Sequence, residues 1–446
     1  MPLDRADARG SSIKVSVIVI PAKDGNPEKR AWTEHQGGPG RTMLQYARLF
    51  ARGGYLEDFR TGRDIVLMDQ RGTGESNGLY CAALNEQLPF ERYYTKKKVR
   101  TCREQVADQR NLLPHLSTLD AVDDLEDVRK WLGYTKFDVG GWSYGSRFML
   151  TYASRYLSSI RSIVLAVPSP FDYRRPVEWA HHAQSALDGM LQDCNQEPGC
   201  RTAFPDLSGD WATLLERVDR FPPSLEYTDP KTGDSKTFRF DRDVLIDLVH
   251  GALLKVRPRK YLPLLIHEAA KGNFAPFIEF ALSRGPPTRS IAEPQYLSVV
   301  CPEETALIDF DEARTASDKT FVGTHFAEEF QMACREWGLR RHGQYPLDGA
   351  AQDIPALVIS GNRDPILPDR VGARIAASLK NSRHIVVSGM PHDFGGMEGS
   401  ACLEKLVTEF VERPNDLRTL DISCVESIRA PPFITDVPAP PPRGLN

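Results

Sequence analysis

The sequence predicts an α/β fold: a mostly parallel sheet with helices on both faces, interrupted by a mainly helical insertion. Three observations point there. Short β-rich runs alternate with helical stretches up to about residue 170, the strand signal fades from about 171 to 350, and the alternation then returns. Hydrophobic residues make up 41% of the 446 and charged residues 26%, which excludes a mainly disordered chain, a coiled coil and a collagen.

Taken in order, Ile13–Ile20, Asp64–Asp69, Phe137–Gly140 and Ile160–Ala166 read as strands. Asp64–Asp69 is apolar through its middle, as a strand covered on both faces should be. Asp120–Leu132 reads as a helix whose apolar stripe is Leu125, Val128, Trp131 and Leu132, with Gly133 at the C-terminal cap. In the insertion, Trp179–Cys194, Asp241–Leu254, Pro263–Ala270, Phe274–Ser283 and Thr324–Trp337 read as helices, with a break at Gly285-Pro286-Pro287. Strand Ala356–Ser360, helix Arg370–Leu379, strand His384–Ser388 and helix Cys402–Val411 follow, and Pro438 to Pro442 mark an irregular tail. The division expected is therefore a core in two parts, residues 1–170 and 351–433, a helical cap at 171–350, and a proline-rich tail at 434–446. No internal repeat occurs.

Composition also narrows the partners. A net charge of −4 lacks the basic excess of a nucleic-acid binder. No apolar run approaches the roughly 20 residues that cross a bilayer, so no membrane partner is expected. The longest, Val15 to Ala22, is strand length. No CxxC or HxxxH spacing suggests a metal, and neither metal nor cofactor is expected. The eight cysteines, at 81, 102, 194, 200, 301, 334, 402 and 424, fall into four local couples, and nearest-neighbour pairing is the simplest arrangement. Pairing points to an oxidising compartment, secreted or periplasmic; free buried thiols in a cytoplasmic enzyme are the alternative. Pro2, Leu3, Asp4 and Arg5 begin no export signal, which an upstream segment would reconcile with the cysteines.

Chemistry concentrates in a few places. Gly141-Trp142-Ser143-Tyr144-Gly145 fits GxSxG, a pattern expected by chance about 0.15 times in this length. Its setting sharpens it, because a strand precedes it and a helix-forming run follows, as a nucleophile elbow requires. Such a turn lifts the Ser143 hydroxyl clear of the sheet and leaves the Tyr144 N–H at a helix start, aimed at a developing oxyanion. A serine needs a base oriented by a carboxylate, in the chain order Ser, Asp, His. Asp364 follows strand Ala356–Ser360 and His392 follows strand His384–Ser388, and Asp369 is the rival acid. Gly37 or Gly38, in Gln36-Gly37-Gly38-Pro39-Gly40, is positioned to give a second oxyanion donor. Trp142, Trp179 and Trp337 fit either a pocket lining or core packing.

In order along the chain, Gln36–Gly40, Asp69-Gln70-Arg71-Gly72-Thr73-Gly74-Glu75-Ser76, Gly141–Gly145, Gly361–Pro365 and His392 resemble the signature of the prolyl iminopeptidase and tripeptidyl aminopeptidase family of α/β hydrolases. The cysteines before Phe204-Pro205, in Cys301-Pro302-Glu303-Glu304 and before Trp337 resemble its tripeptidyl-aminopeptidase-like branch. So do Cys402 and Cys424 ahead of Pro431-Pro432-Phe433. The resemblance implies an α/β-hydrolase fold and a serine exopeptidase acting on short peptides with a free N-terminus. It also implies that Glu303, with Glu304 as a second candidate, receives the substrate ammonium; solvated cap glutamates are the alternative. Two departures stand out: Arg30–His35 is polar where the family has an apolar strand, and Asp393 adds a carboxylate beside His392. A carboxylesterase on the same three residues is the competing enzyme, whereas a non-enzymatic scaffold sits poorly with an intact Ser, Asp and His set. Nothing in the sequence specifies an oligomeric state.

Overall fold

The computed structural model describes residues 1–7, 10–85, 90–283, 291–339 and 353–436. Nine strands occur among them: β1 Val17–Ile20, β2 Ala31–His35, β3 Asp64–Met68, β4 Phe137–Trp142, β5 Ile160–Ala166, β6 Ser224–Thr228, β7 Ser235–Arg239, β8 Ala356–Gly361 and β9 Ser382–Val387. Seven form one sheet in the order β1-β3-β2-β4-β5-β8-β9. Only β1, at the edge, runs antiparallel to its neighbour. The mostly parallel α/β sheet expected from the sequence is the one found.

The sheet's apolar runs serve both faces, because successive side chains on a strand point to opposite sides. Val139, Leu165 and Val358 pack on one face with Phe148 of the helix Tyr144–Arg155. Trp32, Leu67, Val164 and Ile359 pack on the other with Leu403, Leu406 and Phe410 of the helix Ala401–Glu412. Polar β2 is nonetheless a central strand, buried along its length. Its polar side chains are absorbed locally. Trp32 Nε1 donates to Glu34 Oε2 at 3.0 Å, and His35 stacks on Phe148 with ring centroids 4.3 Å apart.

The helix Thr118–Leu132 begins at a Ser117 cap and ends at Gly133, in the left-handed conformation at φ 77°. Ala121, Val122, Leu125 and Val128 are its buried apolar residues, but Trp131 is 78% exposed. At about 100° per residue Trp131 lies roughly 120° round the axis from Leu125, off the inward stripe.

Between β5 and β8 the chain leaves the sheet and is mainly helical, with helices Arg175–Gln196, Leu207–Arg220, Arg242–Leu253, Glu293–Glu303 and His325–Trp337 the longest there. Leu187, Leu214, Phe240, Leu265 and Phe277 are among the residues of its core. The β6–β7 hairpin was not anticipated. Its strands are largely exposed, but Ser224–Thr228 alternates polar and apolar residues ahead of the turn chemistry of Asp229-Pro230-Lys231-Thr232-Gly233-Asp234, and these were the signals available. The Gly285-Pro286-Pro287 break, the cap boundary at 350 and Pro438–Pro442 lie outside the described residues.

All eight cysteines pair as nearest neighbours: Cys81–Cys102, Cys194–Cys200, Cys301–Cys334 and Cys402–Cys424, with Cα atoms 5.1 to 5.8 Å apart. Four disulfides suit an oxidising environment. No helix among the described residues is long and apolar enough to cross a membrane.

Candidate active site

The elbow is built as the motif requires. Ser143 sits between β4 and the helix Tyr144–Arg155 at φ 56° and ψ −122°, a conformation a side-chain-bearing residue holds only when its surroundings enforce it. Its N–H donates to Ala166 O at 3.0 Å, tying the turn to β5. Two residues on, a Cβ at Gly145 would run into the carbonyl of His35, so only glycine lets the helix approach β2.

Three side chains distant in sequence meet here. Ser143 Oγ lies 3.1 Å from His392 Nε2, and His392 Nδ1 lies 2.7 Å from Asp364 Oδ2. Asp364 is 1% exposed, and its other oxygen accepts from the N–H groups of Ile366, at 2.8 Å, and Leu367, at 2.9 Å. These bonds hold the carboxylate independently of the imidazole. Asp369, the rival acid, is instead the first residue of the helix Asp369–Ser378. Asp393 is exposed and accepts from its own turn at Gly395 N, 3.0 Å away. With its proton on Nδ1, His392 accepts at Nε2 from the serine hydroxyl, so the set can transfer a proton during attack on a carbonyl carbon.

The Gly-rich loop lies against the serine. A Cβ on Gly37 would stand 2.9 Å from Ser143 Cβ and 3.2 Å from its Oγ. Asp69 holds the chain beyond the loop. Its Oδ1 accepts from Thr42 Oγ1 at 2.7 Å and Leu44 N at 3.0 Å, and its Oδ2 from Glu75 N at 3.0 Å. The Asp69–Ser76 motif thus has a structural reason: one buried carboxylate closes two loops. On the far side of the serine, Tyr144 opens a helix, where the first N–H groups lack intrahelical partners.

Glu303 and Glu304 are buried beside the elbow helix, each with protein partners. Glu303 accepts from Thr118 N at 2.8 Å and Thr118 Oγ1 at 2.7 Å, with Arg147 at 3.3 Å. Glu304 Oε1 accepts from Arg147 Nη1 and from Arg175 Nη2, both at 2.9 Å. Arg175 also donates to Gly38 O at 3.3 Å, so this ion-pair cluster reaches the Gly-rich loop. Arg147, Arg175 and Thr118 escaped the sequence reading because nothing local marks them. Their significance comes from Glu303 and Glu304, distant in sequence, folding against them. Among the described residues no group of His, Cys, Asp and Glu is arranged to hold a metal ion.

A family model described as alpha/beta hydrolase fold matches residues 35–230, and one described as TAP-like protein matches 319–424. The chain is 22% identical over 455 residues to serine protease Hip1 of Mycobacterium tuberculosis H37Rv, covering 92% of this chain and 84% of that protein. It is 25% identical over 182 residues to a tripeptidyl aminopeptidase of Streptomyces coelicolor, covering 37% of this chain and 33% of that one. It is also 31% identical over 143 residues to a proline iminopeptidase of Neisseria gonorrhoeae, covering 32% and 34%.

Proposed function

We propose that this chain, with its α/β-hydrolase fold and its match to the TAP-like model over residues 319–424, is a serine aminopeptidase releasing N-terminal residues from short peptides. The observation that carries the reading is the run of contacts from Asp364 through His392 to Ser143, at 2.7 and 3.1 Å. Ser143 attacks the scissile carbonyl while His392 takes its proton and returns it to the leaving amine. Asp364 holds the imidazole. Tyr144 N–H and a glycine N–H of Gly37 or Gly38 hold the oxyanion, and water then releases the acyl group. The relatives named serine protease, tripeptidyl aminopeptidase and proline iminopeptidase support a peptide substrate. The described helices between β5 and β8 act as a lid that admits short chains, and the four disulfides support work outside the cytoplasm.

In this reading the substrate ammonium is received at Glu303 and Glu304. Both carboxylates are already paired, so an incoming ammonium exchanges with the Arg175 guanidinium at Glu304, beside Gly38. That pairing also favours a second reading, a carboxylesterase on the same three residues, which needs no ammonium site. One comparison separates them: kcat/KM for a tripeptide p-nitroanilide with a free amine and for its N-acetylated form. The aminopeptidase reading expects the blocked form to lose at least about tenfold, the size of a charge-assisted hydrogen bond. Equal rates on the two forms reject the ammonium site. Failure of Ser143→Ala to abolish both hydrolysis and fluorophosphonate labelling rejects the mechanism.

A further inference from the structure

The helix Arg175–Gln196 crosses from one side of the candidate site to the other. At its start Arg175 donates to Gly38 O, on the oxyanion loop. Two turns on, His182 Nδ1 bonds Ile366 O, next to the Asp364 turn, as does the Tyr173 hydroxyl ahead of the helix. Positions 175, 179 and 182 share one helix face, so Trp179 falls between these two anchors. The helix Arg242–Leu253 approaches from the side of His392: Leu254 O accepts from Asp393 N at 2.8 Å, and His250 lies one turn earlier.

Trp179 and His250 meet there. Their rings stack with centroids 5.5 Å apart, and Phe326 and Phe330 pack edge-on against the indole at 5.4 and 5.9 Å. Arg175 lies over the same indole at 5.5 Å. Trp179 is 8% and His250 6% exposed, yet Trp179 Nε1 and His250 Nε2 have no hydrogen-bond partner among the described residues. Buried polar atoms are nearly always satisfied. On stacked rings between the oxyanion loop and the catalytic imidazole, these two atoms offer a ligand one donor and one acceptor.

We infer that Trp179 and His250 form a subsite that reads the backbone N–H and C=O of one extended substrate residue, beyond the scissile bond, two groups that point to the same side of the chain. The indole N–H donates to that carbonyl. With its proton on Nδ1, His250 presents Nε2 as an acceptor for that N–H. Burial pushes the His250 pKa down to about 3, so the ring is neutral at working pH and suits an uncharged partner. Coulombic coupling to His392 and Asp364 agrees with its place beside the site. The inference rests on the peptidase reading and sharpens it, because a simple ester offers no amide to fill the pair. It therefore predicts a preference for acyl groups longer than one residue.

The test compares Trp179→Phe, His250→Phe and His250→Gln with wild type on two substrates, a tripeptide p-nitroanilide and p-nitrophenyl acetate. Fluorophosphonate titration of Ser143 normalises each preparation to folded, active sites. The quantity read is the ratio of kcat/KM on the anilide to that on the acetate. That ratio should fall about 3- to 10-fold in Trp179→Phe and in His250→Phe, the span of one net hydrogen bond. His250→Gln, which keeps a hydrogen-bonding group, should recover part of the loss. A ratio within twofold of wild type in both aromatic variants overturns the subsite, as does an equal loss on both substrates. Wild type that cleaves the acetate but no anilide overturns the peptidase reading itself, an outcome visible before any variant is made.

Discussion

Replacing Asp364 by Asn is a sharp test of the proposed chemistry, because the structure dictates how the amide must sit. Asp364 Oδ1 accepts from two backbone N–H groups, those of Ile366 and Leu367, so the amide oxygen of Asn is held on that side. The NH2 then faces His392 Nδ1, where Oδ2 now lies at 2.7 Å. A donor there forces the imidazole proton onto Nε2, which can no longer accept from Ser143 Oγ. Turning the amide over would set its NH2 against two N–H groups, so rotation offers no rescue. Loss of the correct tautomer lowers kcat by about 10⁴-fold in triads of this kind, or about 5 kcal/mol of barrier. The replacement is isosteric, and exchanging charged for neutral acceptance at the two N–H groups costs about 1–2 kcal/mol of stability. The assay is kcat/KM on a peptide p-nitroanilide, with fluorophosphonate labelling rate as a second readout and a thermal melt to establish folding. A folded Asp364→Asn enzyme retaining more than about a tenth of wild-type activity would refute the reasoning. So would an equal loss in Asp369→Asn, because that residue stands at a helix start away from the imidazole contact.

Gly37→Ala sets a methyl 2.9 Å from Ser143 Cβ and 3.2 Å from its Oγ, tighter than ordinary contact, and should lower kcat about 10²-fold at a cost of about 1–3 kcal/mol in stability; a fully active variant would remove the loop from the oxyanion site. His325 lies between Asp243, at 2.9 Å, and Asp247, at 3.0 Å; burial alone would lower its pKa, but the two aspartates lift it from 6.5 to about 10. A raised value in the folded state means stabilisation that is complete below pH 6.5 and fades as pH climbs to 10. Thermal melts from pH 8 to 10, above the Glu329 titration near 7, should therefore fall by a few kcal/mol equivalents more in wild type than in His325→Gln, and parallel curves would refute this. Among the disulfides, the 33-residue separation of Cys301–Cys334 predicts a loss of roughly 3–4 kcal/mol on mutation of the pair to Ser, against roughly 2 for Cys194–Cys200 with its separation of 6. Urea unfolding of the two double variants checks the order, and the reverse order would contradict the loop-entropy account.

What the sequence settled by itself is what short-range chemistry encodes. Periodicity revealed the sheet strands with both faces covered, because a doubly buried strand reads as an apolar run wherever it occurs. The elbow announced itself through glycines that a sharp strand-to-helix turn needs, and the order Ser143, Asp364, His392 followed from where late strands end. Nearest-neighbour cysteines paired because short loops close readily. Polar β2 and the outward turn of Trp131 were hidden, since each depends on what packs against it rather than on its own pattern. Only the tertiary structure shows Asp364, rather than Asp369, bonded to the His392 imidazole, because that contact depends on where the carboxylate oxygens point. Only it could pair Glu303 and Glu304 with Thr118, Arg147 and Arg175, or bring Trp179 and His250 together with their nitrogens unmatched. Hydrogen bonds and ion pairs between segments far apart in the chain leave no local trace; they exist once hydrophobic burial has brought those segments into contact.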